Sequence, residues 1–304
     1  MKKKIIAIME VGMICISTIA CGGTETSDSS NQETTESVAE DSTESAETES
    51  EEETVTSSEI TLAEQEVYND NGIVVTVTGI DTNSMWGTDI SVLVENSSEQ
   101  NVTVQTRNGS INGYMMDFQM SCDVAAGKKA NDSITIMSED LEISGVDTVS
   151  SIEFTLTMFD SDSWNDIATS DTISLTTNVT DYVQKYDDSG EVIYDENGIK
   201  IVSKGIVEDE IWGPEVVLYI ENNTDAAITV QPRDTSINGF MVDASMSSDI
   251  TVGKKIVDEI TFLTDDLDTN GITEIEELET AFAIFDMESW EDIITTGPIT
   301  ISFK

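Results

Sequence analysis

The sequence has no histidine and three cysteines, and only 13 of its 304 residues are lysine or arginine. Without histidine the chain cannot supply an imidazole base, a His-bound zinc ion or the usual serine triad. Aspartate and glutamate number 61, which gives a formal net charge of -48. Because so few basic residues cannot form a surface that displaces counterions from phosphates, we expect no nucleic-acid partner.

The N-terminus has the organisation of a signal peptide. Three lysines at positions 2–4 precede a mostly apolar run over residues 5–20, which is short for a membrane span. The run ends in Thr18-Ile19-Ala20-Cys21-Gly22, which resembles a bacterial lipobox. The resemblance implies that residues 1–20 are removed and that Cys21 becomes the lipidated first residue. We therefore expect a chain that is lipid-anchored on the extracellular face of the cell membrane.

Cysteine usage restricts the covalent structure further. Cys15 leaves with the predicted signal peptide and Cys21 carries the predicted lipid, so Cys122 remains alone and no intrachain disulfide can form. A lone thiol among small and apolar residues is typical of a small filler of core or surface, and a nucleophile is the alternative.

Residues 21–58 consist mainly of serine, threonine and glutamate. Such a composition buries too little apolar surface to offset the entropy of ordering the chain. We expect a disordered acidic linker that holds the following residues away from the membrane. Recruitment of cations or of a basic partner is the alternative role.

From residue 69 onward the sequence repeats itself at a constant offset of 126 positions. The matching segments include Asn71-Gly72 with Asn197-Gly198, Trp86-Gly87 with Trp212-Gly213, Ser110-Ile111-Asn112-Gly113 with Ser236-Ile237-Asn238-Gly239, and Gly127-Lys128-Lys129 with Gly253-Lys254-Lys255. We interpret the chain as a tandem duplication of two copies of single-domain size. The copies are repeat 1 (residues 59–179) and repeat 2 (residues 193–304), joined by a connector (residues 180–192).

Within a copy the apolar residues alternate with polar ones, as in Ile152 to Met158. About seven such stretches, separated by turn residues and without a long helical stripe, predict an antiparallel sandwich. Asn112-Gly113 and Asn238-Gly239 predict hairpin tips, because Asn-Gly tolerates the positive φ of a type I′ turn. Residues 138–145 and the equivalent segment of repeat 2 are expected to hold one helical turn.

These features together resemble a known group of proteins. The lipobox, the acidic linker and repeats of the form Asn-Gly-Ile, Asn-Gly-aromatic and Gly-Lys-Lys are similar to those of surface lipoproteins of Gram-positive, Clostridia-like bacteria. Their repeated domains are similar to the immunoglobulin-like sandwiches of secreted mycobacterial immunoprotective antigens. The resemblance implies an all-β fold of two tandem immunoglobulin-like antiparallel β-sandwiches. It assigns no functional residue, because that family has no settled biochemical activity.

Aromatic and arginine side chains near predicted turns are the candidate ligand-binding residues. An exposed tryptophan can stack on a sugar or form a protein hot spot, and the alternative is that it caps the open end of a sandwich. The two arginines occupy equivalent positions, where they either hold a neighbouring acid such as Asp117 or Asp243 or capture an anionic ligand group. The candidates are Trp86, Trp164, Trp212, Trp290, Tyr114, Phe240, Arg107 and Arg233.

Clustered carboxylates are candidates for weak calcium binding. Residues 266–277 fit the spacing of an EF-hand loop, but predicted strands flank them instead of two helices, so we do not interpret them as an EF-hand. The candidate calcium ligands are the predicted loop residues Asp160, Asp162, Asp166, Asp286, Glu288 and Asp292. We expect no other cofactor.

The sequence as a whole predicts a non-catalytic surface lipoprotein. It contains no phosphate loop, nucleophile elbow or Cys/His metal cluster. We expect a monomer that binds an extracellular protein or glycan through its turns and hairpins. A carbohydrate-binding or calcium-assisted module that uses the tryptophans is the alternative, and a glycoside hydrolase built on paired carboxylates is the third hypothesis.

Overall fold

A computed structural model describes residues 59–209 and 213–304. The predicted signal peptide, Cys21, the predicted linker and Trp212 lie outside these residues, so the predictions about them stay predictions. The described residues belong to one compact unit, Thr56–Lys304. Neither helix in this part of the chain has the length and apolar content that a membrane span requires.

Repeat 1 is built from strands and one short helix. In chain order its elements are β1 (Gln65–Asp70), β2 (Ile73–Asp81), β3 (Gly87–Asn96), β4 (Val102–Ile111), β5 (Tyr114–Met115), β6 (Ser121–Val124), β7 (Lys128–Met137), α1 (Ser138–Ile143), β8 (Ser151–Asp160), β9 (Asp166–Thr169) and β10 (Ile173–Thr176). Strands β1-β2-β3-β7 form the first sheet, and β10-β8-β4, extended by β5, β6 and β9, form the second.

Repeat 2 has the same order of elements with one additional short strand, β16 (Ala244–Ser245). They are β11 (Glu191–Glu196), β12 (Ile199–Asp209), β13 (Gly213–Asn222), β14 (Ile228–Ile237), β15 (Phe240–Met241), β16 (Ala244–Ser245), β17 (Ser248–Ile250), β18 (Lys255–Phe262), α2 (Thr264–Asn270), β19 (Glu277–Asp286), β20 (Asp292–Thr295) and β21 (Ile299–Ser302). The first sheet is β11-β12-β13-β18, and β14 and β19 form the centre of the second. Strand β11 begins two residues inside the predicted connector.

Alternating side chains explain why the two sheets of a repeat face each other. In β3, Ile90, Val92 and Val94 are buried while the residues between them are half-buried. Strand β8 of the other sheet buries Phe154 and Leu156 in the same way. Because successive side chains of a strand point to opposite faces, each sheet presents one apolar face to the core. The prediction of an all-β, antiparallel fold is confirmed.

Two local predictions also hold. Asn112 and Gly113 have φ values of 51° and 88° between β4 and β5, and Asn238 and Gly239 have 51° and 82° between β14 and β15. Positive φ at both central residues is the signature of a type I′ turn. The predicted helical turns are α1 and α2, and α2 ends at Gly271 in the left-handed region.

Each repeat has its own cluster of buried apolar residues, but the two clusters meet. Met115 of repeat 1 packs within the cluster of repeat 2. Tyr219 of repeat 2 packs within the cluster of repeat 1. The second sheet of repeat 1 also continues into the first sheet of repeat 2, through a parallel pairing of Tyr114 with Lys255. The two sandwiches therefore share a packed junction.

The lone thiol of Cys122 is buried and lies against the half-buried Asp132. Burial, reinforced by Asp132, raises the pKa of Cys122 to about 12. The equivalent Ser248 donates a hydrogen bond to Asp258 at 2.7 Å. Because a thiol must ionise to act as a nucleophile, this environment favours the filler interpretation of Cys122.

Candidate functional site

The β8–β9 and β19–β20 hairpins end in equivalent turns, residues 161–165 and 287–291, which we call the tryptophan turns. Each projects one tryptophan from the end of its sandwich. Trp164 is 74% exposed and Trp290 is 68% exposed. Both side chains therefore present ring surface to solvent, as a stacking face requires and a buried cap does not.

An aspartate at the end of each preceding strand holds its tryptophan turn in shape. Oδ1 of Asp160 accepts hydrogen bonds from the backbone N of Ser163 at 2.7 Å and from its Oγ at 2.8 Å. These bonds lower the pKa of Asp160. The backbone N of Trp164 then donates to the backbone O of Asp160 at 2.8 Å. Asp286 makes the same set of bonds in repeat 2.

The closing residue of each tryptophan turn is in a strained conformation. Trp164 has a φ of 62° and Trp290 a φ of 61°. A bulky side chain in this left-handed region is a genuine outlier, since glycine or asparagine normally takes such a position. The strain costs on the order of 1–3 kcal/mol. The same conformation recurs at both equivalent positions.

Each strained tryptophan rests on a phenylalanine of the preceding strand. The rings of Phe159 and Trp164 stack with centroids 5.3 Å apart and an interplanar angle of 19°. Phe285 and Trp290 stack at the same distance, with an angle of 24°. The phenylalanines are buried, so each supports one ring face while the rest of the indole stays exposed. Such a supported ring is a preorganised contact surface.

Trp86 is exposed at the other end of repeat 1. It precedes β3, whereas Asn101, which follows the end of β3, donates a hydrogen bond to Asp162 in the tryptophan turn at 3.2 Å. A strand of this length spans about 30 Å. Trp86 is 60% exposed, beside the 84% exposed Met85. Trp86 and Trp164 are therefore exposed at opposite ends of repeat 1, and ligand binding at each of them stays a prediction.

The two aromatic residues next to the Asn-Gly turns differ in burial. Phe240 is 49% exposed, as a contact residue should be. Tyr114 is 1% exposed, because its ring packs edge-on against Tyr186 and Tyr219. The prediction that Tyr114 binds a ligand is therefore wrong, since the junction between the repeats covers it.

The arginines do not hold acids. Arg107 donates to the Oε1 of Gln105 at 2.6 Å and to the backbone O of Thr106 at 2.9 Å. Arg233 makes the equivalent bonds in repeat 2. Among the described residues, no arginine forms an ion pair with Asp117 or Asp243. The glutamine pairing keeps each guanidinium at the surface, and capture of an anion stays a prediction.

The candidate calcium ligands serve the tryptophan turns instead of converging. Asp160 and Asp286 use their oxygens on backbone N–H groups. Asp162 accepts from Asn101, the backbone N of Glu288 donates to Asp286, and the exposed Asp166 and Asp292 begin β9 and β20. In residues 59–209 and 213–304, no three His, Cys, Asp or Glu residues are gathered in a way that could hold a metal ion. Weak calcium binding stays a prediction.

A group of acids at the junction between the repeats is not identified by the sequence pattern. Burial and neighbouring acids raise the pKa of Asp140 to about 6 and that of Glu259 to about 7. The acids whose charges interact there are Asp117, Glu139 and Asp140 of repeat 1 with Glu215, Asp258 and Glu259 of repeat 2. The sequence contains so many carboxylates that these six acids are recognised as a group only once the packing of the two repeats is known.

Two shallow grooves lie at equivalent edges of the sandwiches. The groove of repeat 1, between β1 and β10, has a volume of 510 Å³, and Glu66, Asp70 and Asp171 are among its lining residues. The groove of repeat 2, between β11 and β21, has a volume of 410 Å³. Both are open and lined by edge strands. The glycoside hydrolase hypothesis needs two carboxyl groups facing each other across a cleft, and these grooves are where such a pair would be sought.

Comparisons with known proteins add little. No protein-family model matches the chain, and no curated protein matches it. Among solved structures, the YadV chaperone aligns over 76% of this chain and 99% of its own, with 11% identity and a TM-score of 0.24. A protein of unknown function from Porphyromonas gingivalis W83 covers 71% of this chain and 89% of its own, with 9% identity and a TM-score of 0.17. Similarities this remote carry no argument about this chain.

Proposed function

We propose that this chain is a non-catalytic, lipid-anchored surface protein that presents two immunoglobulin-like sandwiches for extracellular binding. The lipobox around Cys21 and the acidic linker over residues 21–58 support the anchor and the stalk. The resemblance to surface lipoproteins of Gram-positive bacteria supports the location. The all-β repeats supply rigid scaffolds on which turns can act as binding elements.

The tryptophan turns carry this proposal. A residue that is both exposed and conformationally strained gains little stability from burial and loses some to strain, and the chain has one at the same place in each repeat. Strain that the surrounding structure enforces is found at binding and catalytic sites. Tryptophan is also the residue type most enriched in binding hot spots. The two turns are therefore the proposed contact surfaces, one per repeat.

A soluble form of the chain tests the proposal. It begins at residue 21, carries Cys21→Ser and is applied to immobilised oligosaccharides, bacterial cell-wall glycan and extracellular-matrix proteins. We expect at least one of these probes to bind, and the double variant Trp164→Asn, Trp290→Asn to lose at least about tenfold in affinity. Met85→Ala, which removes an exposed side chain elsewhere, is the matched control and retains binding. Unchanged affinity of the double variant would remove the turns from the proposal.

Carbohydrate binding is the second candidate, because each supported indole offers a flat face to solvent. A sugar that stacks on this face changes the environment of the ring. Titration with the soluble oligosaccharides that bind in the panel should therefore shift tryptophan emission, and the shift should vanish in the double variant. A panel in which only proteins bind would eliminate this candidate while leaving the first one standing.

Membrane fractionation tests the anchor separately. Cells that produce the whole chain should carry it in the membrane fraction and attach labelled fatty acid to it, and Cys21→Ser should abolish the label, because the thioether-linked lipid group is then missing. Labelling that persists in the Cys21→Ser chain would contradict lipid anchoring at this residue. This result is independent of what the tryptophan turns bind.

A further inference from the structure

The hairpin tip of repeat 1, residues 112–115, packs onto repeat 2, and we call it the docked hairpin. The backbone N of Lys255 donates to the backbone O of Gly113 at 3.1 Å. The ring of Tyr114 meets that of Tyr219 edge-on, with centroids 6.3 Å apart. As a result Tyr114 and Met115 are only 1% and 5% exposed.

Two lysines of repeat 2 add charge to this contact. Nζ of Lys254 lies 2.5 Å from Oε2 of Glu153, which belongs to repeat 1. Nζ of Lys255 lies 4.5 Å from the centre of the Tyr186 ring, which belongs to the connector. The surface that receives the docked hairpin therefore combines an apolar sheet face with a lysine pair at its edge.

Repeat 2 has the same hairpin at residues 238–241, which we call the uncovered hairpin. Phe240 is 49% exposed and Met241 is 66% exposed. A Cβ added at Gly113 would meet Oη of Tyr186 at 2.6 Å, whereas nothing lies within 4 Å of one added at Gly239. Glu279, the equivalent of Glu153, is exposed as well. Repeat 2 thus retains every element of the docked hairpin, but nothing in residues 59–209 and 213–304 covers it.

The receiving face differs between the repeats in the opposite way. In repeat 2 the outer face of the first sheet is apolar and packs within the cluster that contains Tyr114. In repeat 1 the equivalent positions are mostly polar and are half-buried or exposed. The two sets are Val202, Val217, Tyr219 and Val257 in repeat 2, and Thr76, Ser91, Leu93 and Asn131 in repeat 1.

The duplicated contact consists of a hairpin and a receiving sheet face, and these two surfaces have changed differently where each is uncovered. Where the sheet face is uncovered, in repeat 1, polar residues occupy it, as expected for a surface that meets only water. Where the hairpin is uncovered, in repeat 2, Phe240 and Met241 are still apolar. Solvent exposure alone gives no reason to keep them, because apolar hairpin tips promote unwanted association.

We propose that the uncovered hairpin docks onto a β-sandwich domain of another protein, one that presents an apolar sheet face with lysines at its edge. The chemistry is that of the internal junction: Phe240 and Met241 take the places of Tyr114 and Met115, and Glu279 receives the lysine. This surface is distinct from the tryptophan turns, and it adds a partner class to the proposed function.

A second copy of this chain does not fit that description. Its repeat 1 has the lysine pair, Lys128 and Lys129, but not the apolar face. Its repeat 2 has the apolar face, which its own docked hairpin already covers. Two chains that each carry a net charge of -48 also repel each other. The partner is accordingly a different, less acidic protein.

Transferring the receiving face tests this inference within the intact chain. The quadruple variant Thr76→Val, Ser91→Val, Leu93→Tyr, Asn131→Val gives repeat 1 the receiving residues of repeat 2. In sedimentation velocity at moderate salt, over a roughly hundredfold range of concentration, the parent chain with Cys21→Ser should stay monomeric. The quadruple variant should form head-to-tail oligomers, because it now carries both halves of the contact.

Adding Phe240→Asp identifies the surface responsible. This fifth change should return the quadruple variant to a monomer, whereas the control change Val183→Asp, at an 80% exposed site, should leave it oligomeric. A folded quadruple variant that stays monomeric overturns the inference, and so does association that persists with Phe240→Asp. Because the readout involves no sugar and neither tryptophan turn, its failure is distinct from failure of the proposed function.

Discussion

The docked and uncovered hairpins have nearly the same sequence, Asn-Gly-Tyr-Met and Asn-Gly-Phe-Met, and the same backbone conformation. One is buried between two sandwiches and the other is exposed to solvent. Local sequence therefore determines the turn, while a partner surface elsewhere in the chain determines its burial. The same residues are structural in repeat 1 and available for binding in repeat 2.

Truncating the aromatic residue of each hairpin should give the largest difference in stability between the two hairpins. Tyr114→Ala removes a fully buried ring that contacts two other tyrosines, and we expect it to lower the free energy of unfolding by about 3–5 kcal/mol. Phe240→Ala, at the equivalent exposed position, should change it by less than about 1 kcal/mol. Urea denaturation measures both, and equal losses would mean that the hairpins have the same environment.

The glycines of the two turns should differ by a smaller margin. Gly113→Ala and Gly239→Ala share the cost of a side chain at positive φ, on the order of 1 kcal/mol. Only at Gly113 does the new methyl group also collide with Tyr186, which should add about 1–3 kcal/mol. The melting temperature of Gly113→Ala should therefore fall further. A larger fall for Gly239→Ala would contradict the close approach of the connector to the docked hairpin.

The acids at the junction make its stability depend on pH. The pKa of Asp140 is raised to about 6 and that of Glu259 to about 7, so the folded chain binds protons that the unfolded chain releases between about pH 4 and 7. Stability should consequently fall as pH rises through this window. We expect the melting temperature to be higher at pH 5 than at pH 8, and a lower value at pH 5 would contradict the crowding of these carboxyl groups.

Glu259→Ser assigns the pH effect to the junction. Position 259 of repeat 2 corresponds to Ser133 in repeat 1, so the substitution makes the two faces alike at this point. The variant should be the more stable protein at pH 8 and should show a smaller change between pH 5 and pH 8. Glu95→Ser, at an acid whose carboxylate is paired with Lys129, is the control and should leave the pH dependence in place.

Asparagine in the tryptophan turns should have the smallest effect on folding. Trp164→Asn and Trp290→Asn relieve a strained φ, which costs on the order of 1–3 kcal/mol, only in part, because asparagine keeps the positive φ, and they also remove the stacking on Phe159 and Phe285, worth about 0.5–1.5 kcal/mol. We expect the free energy of unfolding to change by less than about 1 kcal/mol per site. A loss of several kcal/mol would show that the indoles are needed for the fold, which would weaken their assignment to binding.

Much of the architecture could be predicted because it depends on short-range pattern. Alternation such as that of residues 152–158 identified strands, and Asn-Gly identified the two hairpin tips. The all-β class follows from these signals alone. The duplication was visible because the two copies align without a gap.

The junction was missed because it depends on contacts between distant parts of the chain. Nothing next to Tyr114 in sequence distinguishes it from Phe240, yet one is buried and the other is not. The available signal was the difference between the repeats at outward positions, such as Val217 against Ser91 and Tyr219 against Leu93. When only one of two copies has apolar residues on its outward sheet face, those residues indicate that this face is covered by another part of the protein.

The strain in the tryptophan turns was also beyond sequence reasoning. Trp164 and Trp290 were recognised as residues near turns, but a left-handed tryptophan contradicts the ordinary preferences for such a position. The hydrogen bonds of Asp160 and Asp286 impose this conformation, and they require the folded hairpin to exist first. Residue preferences for turn positions do not predict a left-handed tryptophan, because they describe unstrained turns.

Methionine oxidation compares the two hairpins most directly, because each carries one methionine at the same position. Mild peroxide treatment of the folded chain, followed by peptide mass spectrometry, reports the accessibility of Met115 and Met241 within one sample. Met241 is 66% exposed and Met115 is 5% exposed, so Met241 should be oxidised at least about tenfold faster. Similar rates at the two methionines would contradict the claim that repeat 2 covers one hairpin and leaves its duplicate accessible.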